Sequence, residues 1–241
     1  MEQAMRHLFS RASLILFAMV LAPTVVLAQP ARIILMRHAE KLNAYALCDM
    51  GALRAQALAG QFLGRGAAQS LFGAGKPDAF LAITLHPLET ITPAAQSWNM
   101  PVTTYSLVPA EDEEKYDREV EENKRTQEAA HDVMTDPRYQ GKTIVMTWEH
   151  NHIAKHKLEK EFPGQEVTLR QLLHIDAIAG APEKWPDANY DFFWIVDYAP
   201  GNPTPTAFRM VRQTFAAPFD TLPANDWDED EPRHIAAGCL K

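Results

Sequence analysis

The chain has 241 residues, 46% hydrophobic and 22% charged, which excludes a disordered or low-complexity protein and allows one domain with a substantial core. Its formal net charge is −8. So acidic a surface has no long-range attraction for nucleic acid or anionic lipid, and neither is expected as a partner.

Residues 1–28 read as a secretory leader. Arg6 and Arg11 precede an apolar stretch broken by Pro23, and Val26-Leu27-Ala28 offers small residues for cleavage after Ala28. Residues 14–27 are short for a full membrane span of ~20 residues, which favours cleavage over an uncleaved anchor. The expectation is an exported chain, secreted or periplasmic, with its folded domain in residues 29–241. In an oxidising compartment Cys48 and Cys239 can pair and tie the C-terminal tail down, or remain two thiols; sequence gives no separation and leaves both open.

Arg32-Ile33-Ile34-Leu35-Met36 is a continuous apolar run, the pattern of a strand buried on both faces, and it stops abruptly at Arg37-His38-Ala39-Glu40-Lys41. Residues 49–64 carry Met50, Leu53, Ala57 and Leu58 on one side of a helix. A second strand is expected over residues 79–85, and Thr92-Pro93 reads as a helix start. Residues 102–107 form a short third strand, and residues 111–134 have the charge and length of a long exposed helix ended by Asp136-Pro137. Residues 142–147 give another buried strand, ending in Trp148-Glu149-His150-Asn151-His152, with a helix onward to Phe162. The last strands fall at residues 192–198 and 208–214, and the acidic tail around Asp226 to Glu231 reads as solvated. Strands alternating with helices predict an α/β three-layer sandwich with a mainly parallel central sheet and helices on both faces. Ligands of such sheets bind beyond the carboxyl ends of the strands, where the Arg37-His38 and Glu149-His150 clusters stand.

Ile34-Leu35-Met36-Arg37-His38-Ala39-Glu40-Lys41 resembles the signature of the histidine phosphatase superfamily, the phosphoglycerate-mutase-like proteins. Gly51-Ala52-Leu53-Arg54-Ala55, Pro87-Leu88-Glu89-Thr90-Ile91-Thr92-Pro93 and Val145-Met146-Thr147-Trp148-Glu149-His150 are similar to its later segments in the same order. The resemblance implies that His38 attacks phosphorus and becomes phosphohistidine, that Arg37 clamps phosphate oxygens, that His150 donates to the same oxygens, and that no cofactor or metal is needed. Lys41 and Arg54 are two nearby cations taken as substrate contacts, with plain surface charge as the alternative. The family's second pocket Arg is absent. Thr90 or His86 stands in its place, depending on register, and neither forms a bidentate fork. The general acid is a carboxyl. Glu113, within Glu111-Asp112-Glu113-Glu114, is taken ahead of Glu149 for that role.

The function this implies is hydrolysis of a phosphate monoester, its activity lowered by the missing Arg. The first alternative is a weak or inactive phosphate-binding protein of the same fold. The second is a metal-binding protein with His150, His152 and His156 as ligands. A small phosphorylated molecule, or phosphate, is the expected partner. The substrate and the oligomeric state are not readable.

Overall fold

The structure is a computed structural model that describes residues 29–106, 114–228 and 238–240. The segment expected to be a leader, Glu113 and most of the acidic tail lie outside the described residues. The strands are β1 (Arg32–Arg37), β2 (Ala79–Ala82), β3 (Val102–Thr104), β4 (Thr143–Trp148), β5 (Phe192–Asp197) and β6 (Ala207–Arg212). The α-helices are α1 (Asp49–Leu58), α2 (Leu85–Ser97), α3 (Lys115–Thr135), α4 (His150–Ile153), α5 (His156–Glu161) and α6 (Leu169–Leu172). One sheet runs in the order β3-β2-β4-β1-β5-β6. Only β5 is reversed: β3, β2, β4 and β1 pair in parallel, and β5 pairs antiparallel with both β1 and β6.

The alternation of side chains along each strand divides the core into two layers. Ile33, Leu35, Ile144, Met146, Trp194 and Val196 face α3 through Ala129, Ala130 and Val133. Ile34, Met36, Val145, Phe193 and Ile195 face α1 and α2 through Ala57, Leu58, Ile91, Ala94 and Ala95. Helices therefore cover both faces, and the continuous apolar runs of β1 and β4 are explained: each residue has a core to enter. The crossover leaving β1 (α1) lies on one face and the helix leading into β4 (α3) on the other. The carboxyl ends of these neighbouring strands thus open onto a crevice at a topological switch point.

Two expectations about local structure need correction. The helix placed from Thr92 begins at Leu85, with extended Thr84 at its N-cap, and Pro93 sits inside it. Pro87 occupies the first turn, where the N–H has no intrahelical partner to lose, whereas Pro93, in the interior, gives up one helical hydrogen bond. That start also cuts the preceding strand to Ala79–Ala82. The helix expected over residues 49–64 keeps α-geometry to Leu58 and finishes as a π-turn over Ala59–Leu63. Gly51 lets α1 press on the loop after β1: a Cβ there would stand 2.2 Å from the Glu40 carbonyl oxygen.

Cys48 and Cys239 form a disulfide, resolving the question the sequence left open. The Leu240 N–H donates to the Lys41 carbonyl at 2.7 Å, so the end of the chain lies along the loop that follows β1.

Candidate active site

The parallel register of β1 and β4 aligns Arg37 with Trp148, and the His38 N–H extends the ladder by donating to the Trp148 carbonyl at 3.2 Å. His38 therefore stops level with Glu149, and His150 opens α4 directly beyond. Their ring centroids are 6.4 Å apart, edge to face.

His38 is 1% exposed. Its Nδ1–H donates to the Ala39 carbonyl at 2.6 Å, which leaves Nε2 as the nitrogen with the free lone pair. Nε2 is buried without a hydrogen-bond partner among the described residues and lies 3.2 Å from Glu149 Oε2. Burial pushes the imidazole down to about 3, so it is neutral at neutral pH. His150 donates from Nε2 to Asp187 Oδ1 at 3.0 Å, and its Nδ1 is likewise buried and unpartnered. Burial, helped by the Arg37 charge, lowers it to about 4.

Arg37 carries the loop that supplies Asp187. Its Nη1 donates to the carbonyls of Asp187 at 2.6 Å and Asn189 at 3.1 Å, and the guanidinium stacks 3.9 Å from the Tyr190 ring centre. Nε remains buried and unpartnered. One arm of Arg37 thus fixes the loop, while the expected phosphate clamp falls to the rest of the fork.

A cavity of about 340 Å³ opens beside these groups, lined among others by Lys41, Thr84, His86, Glu122, Glu149 and His150. Lys41 Nζ stands 3.1 Å from Glu149 Oε2, and the Thr84 hydroxyl donates to Glu149 Oε1 at 2.8 Å. Burial pushes the Glu149 carboxyl up, but the charge of His38, whenever that ring carries a proton, and the Lys41 ammonium oppose this and hold the group well below its usual value. Glu122 has the opposite balance. Burial, reinforced by the negative charge of Glu149, raises it to about 8, so it keeps its proton at neutral pH. Two carboxyls on one cavity with values driven apart are the arrangement that separates an acid from an ionised partner.

The remaining expected residues fall as follows. His86 lines the cavity, its ring 5.7 Å from that of His38, but its Nε2–H is engaged by the Asn43 carbonyl at 2.7 Å. Thr90 is buried and accepts from the Ala39 N–H at 2.9 Å, so it secures the loop rather than facing the cavity. Arg54 is a correction. It is 1% exposed and its donors are spent inside the fold, with Nε and Nη2 on the Glu40 carboxylate, Nη1 on Asp191 at 2.6 Å and Nη2 on the Pro223 carbonyl at 3.1 Å. Glu113 lies outside the described residues.

The triad of His150, His152 and His156 is also corrected. His152 turns to α3, its Nε2–H donating to Asn123 Oδ1 at 3.0 Å, while His156 is half exposed beside Glu159. The described residues that do converge are His38, Glu149 and His150, each offering one ligand atom within 4.8 Å of the others.

Sequence reasoning missed Glu122, Asp187 and Tyr190. For Glu122 a signal existed: with Thr126, Ala130 and Val133 it follows the three-to-four spacing of the inward face of α3. Asp187 and Tyr190 sit in an irregular loop with no pattern to mark them.

No protein-family model matches the chain, and no curated protein matches it. Among solved structures it is similar to a protein described as a phosphohistidine phosphatase, SixA, from Agrobacterium tumefaciens, at 18% identity and a TM-score of 0.34 over 78% of this chain and 99% of the other. It is also similar to a mycobacterial glucosyl-3-phosphoglycerate phosphatase, at 12% identity and a TM-score of 0.42 over 78% of this chain and 100% of that one. Likeness at this level bears on neither reaction nor substrate.

Proposed function

We propose that the chain is an exported phosphatase that hydrolyses a phosphate monoester through a phosphohistidine on His38. The observation that carries this reading is the placement of the His38 ring: its Nδ1–H is held by the Ala39 carbonyl, which leaves Nε2 as the free nitrogen, and the ring is set edge to face with a second unpartnered imidazole beside a cavity that Lys41, Glu122 and Glu149 line. An imidazole so held is a nucleophile that needs no further base.

In the first step the Nε2 lone pair attacks phosphorus and the bond to the ester oxygen breaks. The leaving oxygen takes the proton of Glu122, the cavity carboxyl that is protonated at neutral pH. Glu122 replaces Glu113 as the residue assigned this role. In the second step water attacks phosphorus, the P–N bond breaks and its electron pair returns to Nε2. The water's proton restores Glu122. The unpartnered Arg37 Nε contacts the phosphoryl oxygens, as does His150, which takes up a proton from solvent when the dianion binds, with Asp187 stabilising its charge. Lys41 keeps Glu149 from repelling the substrate. Export is supported by the leader and by the Cys48–Cys239 bond, which suits an oxidising compartment.

A screen of the purified chain against varied phosphate monoesters, with His38→Ala as control, tests the reading. Turnover that vanishes in the variant supports it. Phosphate binding without turnover of any ester would leave the phosphate-binding alternative.

A further inference from the structure

We infer that His38, Glu149 and His150 form a zinc-class divalent metal site, and that a metal bound there switches the phosphatase off by occupying the nucleophile. The inhibition rests on the phosphatase reading above; the binding does not.

The argument starts from the donor set. Two imidazoles and a carboxylate on a buried wall suit zinc and its neighbours, whereas magnesium and calcium prefer oxygen ligands throughout. The three ligand atoms lie within 4.8 Å of one another. Ligands at zinc distances in a tetrahedron stand roughly 3.3–3.5 Å apart. The separation of His38 Nε2 from Glu149 Oε2 is 3.2 Å, and the His150 ligand atom lies within 4.8 Å of both.

The hydrogen bonds around the site give the second reason. A histidine ligand needs its other nitrogen held, so that tautomer and ring plane are fixed. His38 Nδ1–H is held by the Ala39 carbonyl and His150 Nε2–H by the Asp187 carboxylate, the latter a carboxylate–histidine arrangement. The nitrogens left over, His38 Nε2 and His150 Nδ1, are both buried and unpartnered among the described residues. Glu149 and His150 line the cavity, from which water or a phosphate oxygen can reach a metal held there. The group that opposes metal is Lys41, whose ammonium sits 3.1 Å from Glu149 Oε2 and must give way.

The test uses Co(II) as a visible-absorbing stand-in, followed by displacement with zinc, on the purified chain and on variants whose fold is checked by near-UV circular dichroism. One Co(II) per chain with the intense bands of four-coordination is expected, and zinc should displace it. Asp187→Asn should weaken binding about 10-fold, and Glu149→Gln, which removes a ligand, should weaken it further. Lys41→Ala should tighten it. Zinc should inhibit hydrolysis of p-nitrophenyl phosphate with the same dissociation constant that displacement gives, and magnesium should not. Binding that is absent, or unchanged in folded Glu149→Gln and Asp187→Asn, overturns the site. Zinc bound at these residues with hydrolysis unaffected overturns the inhibition. Variant-sensitive metal binding by a chain with no phosphatase activity would sustain the site while sinking the reading it was joined to.

Discussion

Replacing Arg54 by Met keeps much of the side-chain volume and removes the charge. Two carboxylates then lose their main partner in a dry setting. Asp191 is fully buried and, among the described residues, keeps the Asn225 backbone and side-chain N–H groups on Oδ2; Glu40 loses both of its oxygen contacts to the guanidinium. Breaking a buried ion pair from one side costs about 3–5 kcal/mol, because the charge left behind is uncompensated. For a domain of this size about 4 kcal/mol lowers Tm by roughly 8–16 °C. The drop should be read by calorimetry or by circular dichroism melts in chelator. KM on any hydrolysed ester should move little at a temperature where the variant is folded, since the Arg54 guanidinium is committed to Glu40, Asp191 and the Pro223 carbonyl. A variant melting within a few degrees of wild type but with KM strongly raised would return Arg54 to the substrate and refute the network account.

Stability should peak near pH 6.5 in metal-free protein. Burial lowers His38 to about 3 and His150 and His152 to about 4, from 6.5, and His86 in the same direction, so the unfolded chain takes up protons on three rings, and in part on a fourth, that the folded chain refuses. Glu122, raised from 4.5 to about 8, works in the opposite direction. Between pH 4.5 and 6.5 the unfolded state binds a net of about two extra protons, and stability should climb by roughly 2.7 kcal/mol per pH unit. Above that the Glu122 term alone remains, and stability should fall by roughly 1.4 kcal/mol per unit up to about pH 8. Urea titrations across this range check both slopes; stability rising steadily through pH 8 would remove the protonated Glu122. Glu122→Gln should lower kcat by about 10²–10⁴ on alkyl phosphates, less on p-nitrophenyl phosphate, and abolish the alkaline limb of the pH profile. An equal loss on both ester types would deny Glu122 the role of acid. Cys239→Ser should destabilise the chain by about 2–5 kcal/mol and raise KM, since the Leu240 N–H holds the loop carrying Lys41. A KM unchanged in the variant would separate the tail from the site.

The two strand ends that build the site were readable because burial on both faces leaves an unbroken apolar run, and polar residues stopping that run have only the crevice to occupy. His38 and His150 stand where those runs end. The alignment of Arg37 with Trp148, which makes Glu149 a neighbour of the nucleophile, is a register between strands more than a hundred residues apart, and no local pattern encodes it. Arg54 was misplaced for the same reason: its partners lie 14 and 137 residues away, and a guanidinium looks identical in sequence whether it meets water or two buried carboxylates. Helix α2 was misread because Thr92-Pro93 carries a start signal, whereas the true start at Leu85 is set by the sheet ending at Ala82 and by Pro87 being harmless in the first turn. Asp187 reaches His150 through a loop held in place by Arg37, so its role follows from a tertiary contact rather than from a motif.

Mass spectrometry of the enzyme quenched in alkali during turnover, where phosphoramidate bonds survive, examines the proposed intermediate itself. Phosphate on the peptide carrying His38, accumulating and decaying at rates that match turnover and missing in His38→Ala, is the result this account expects. Sustained hydrolysis with the label on another residue, or with no phosphoenzyme formed in single-turnover sampling, would contradict it.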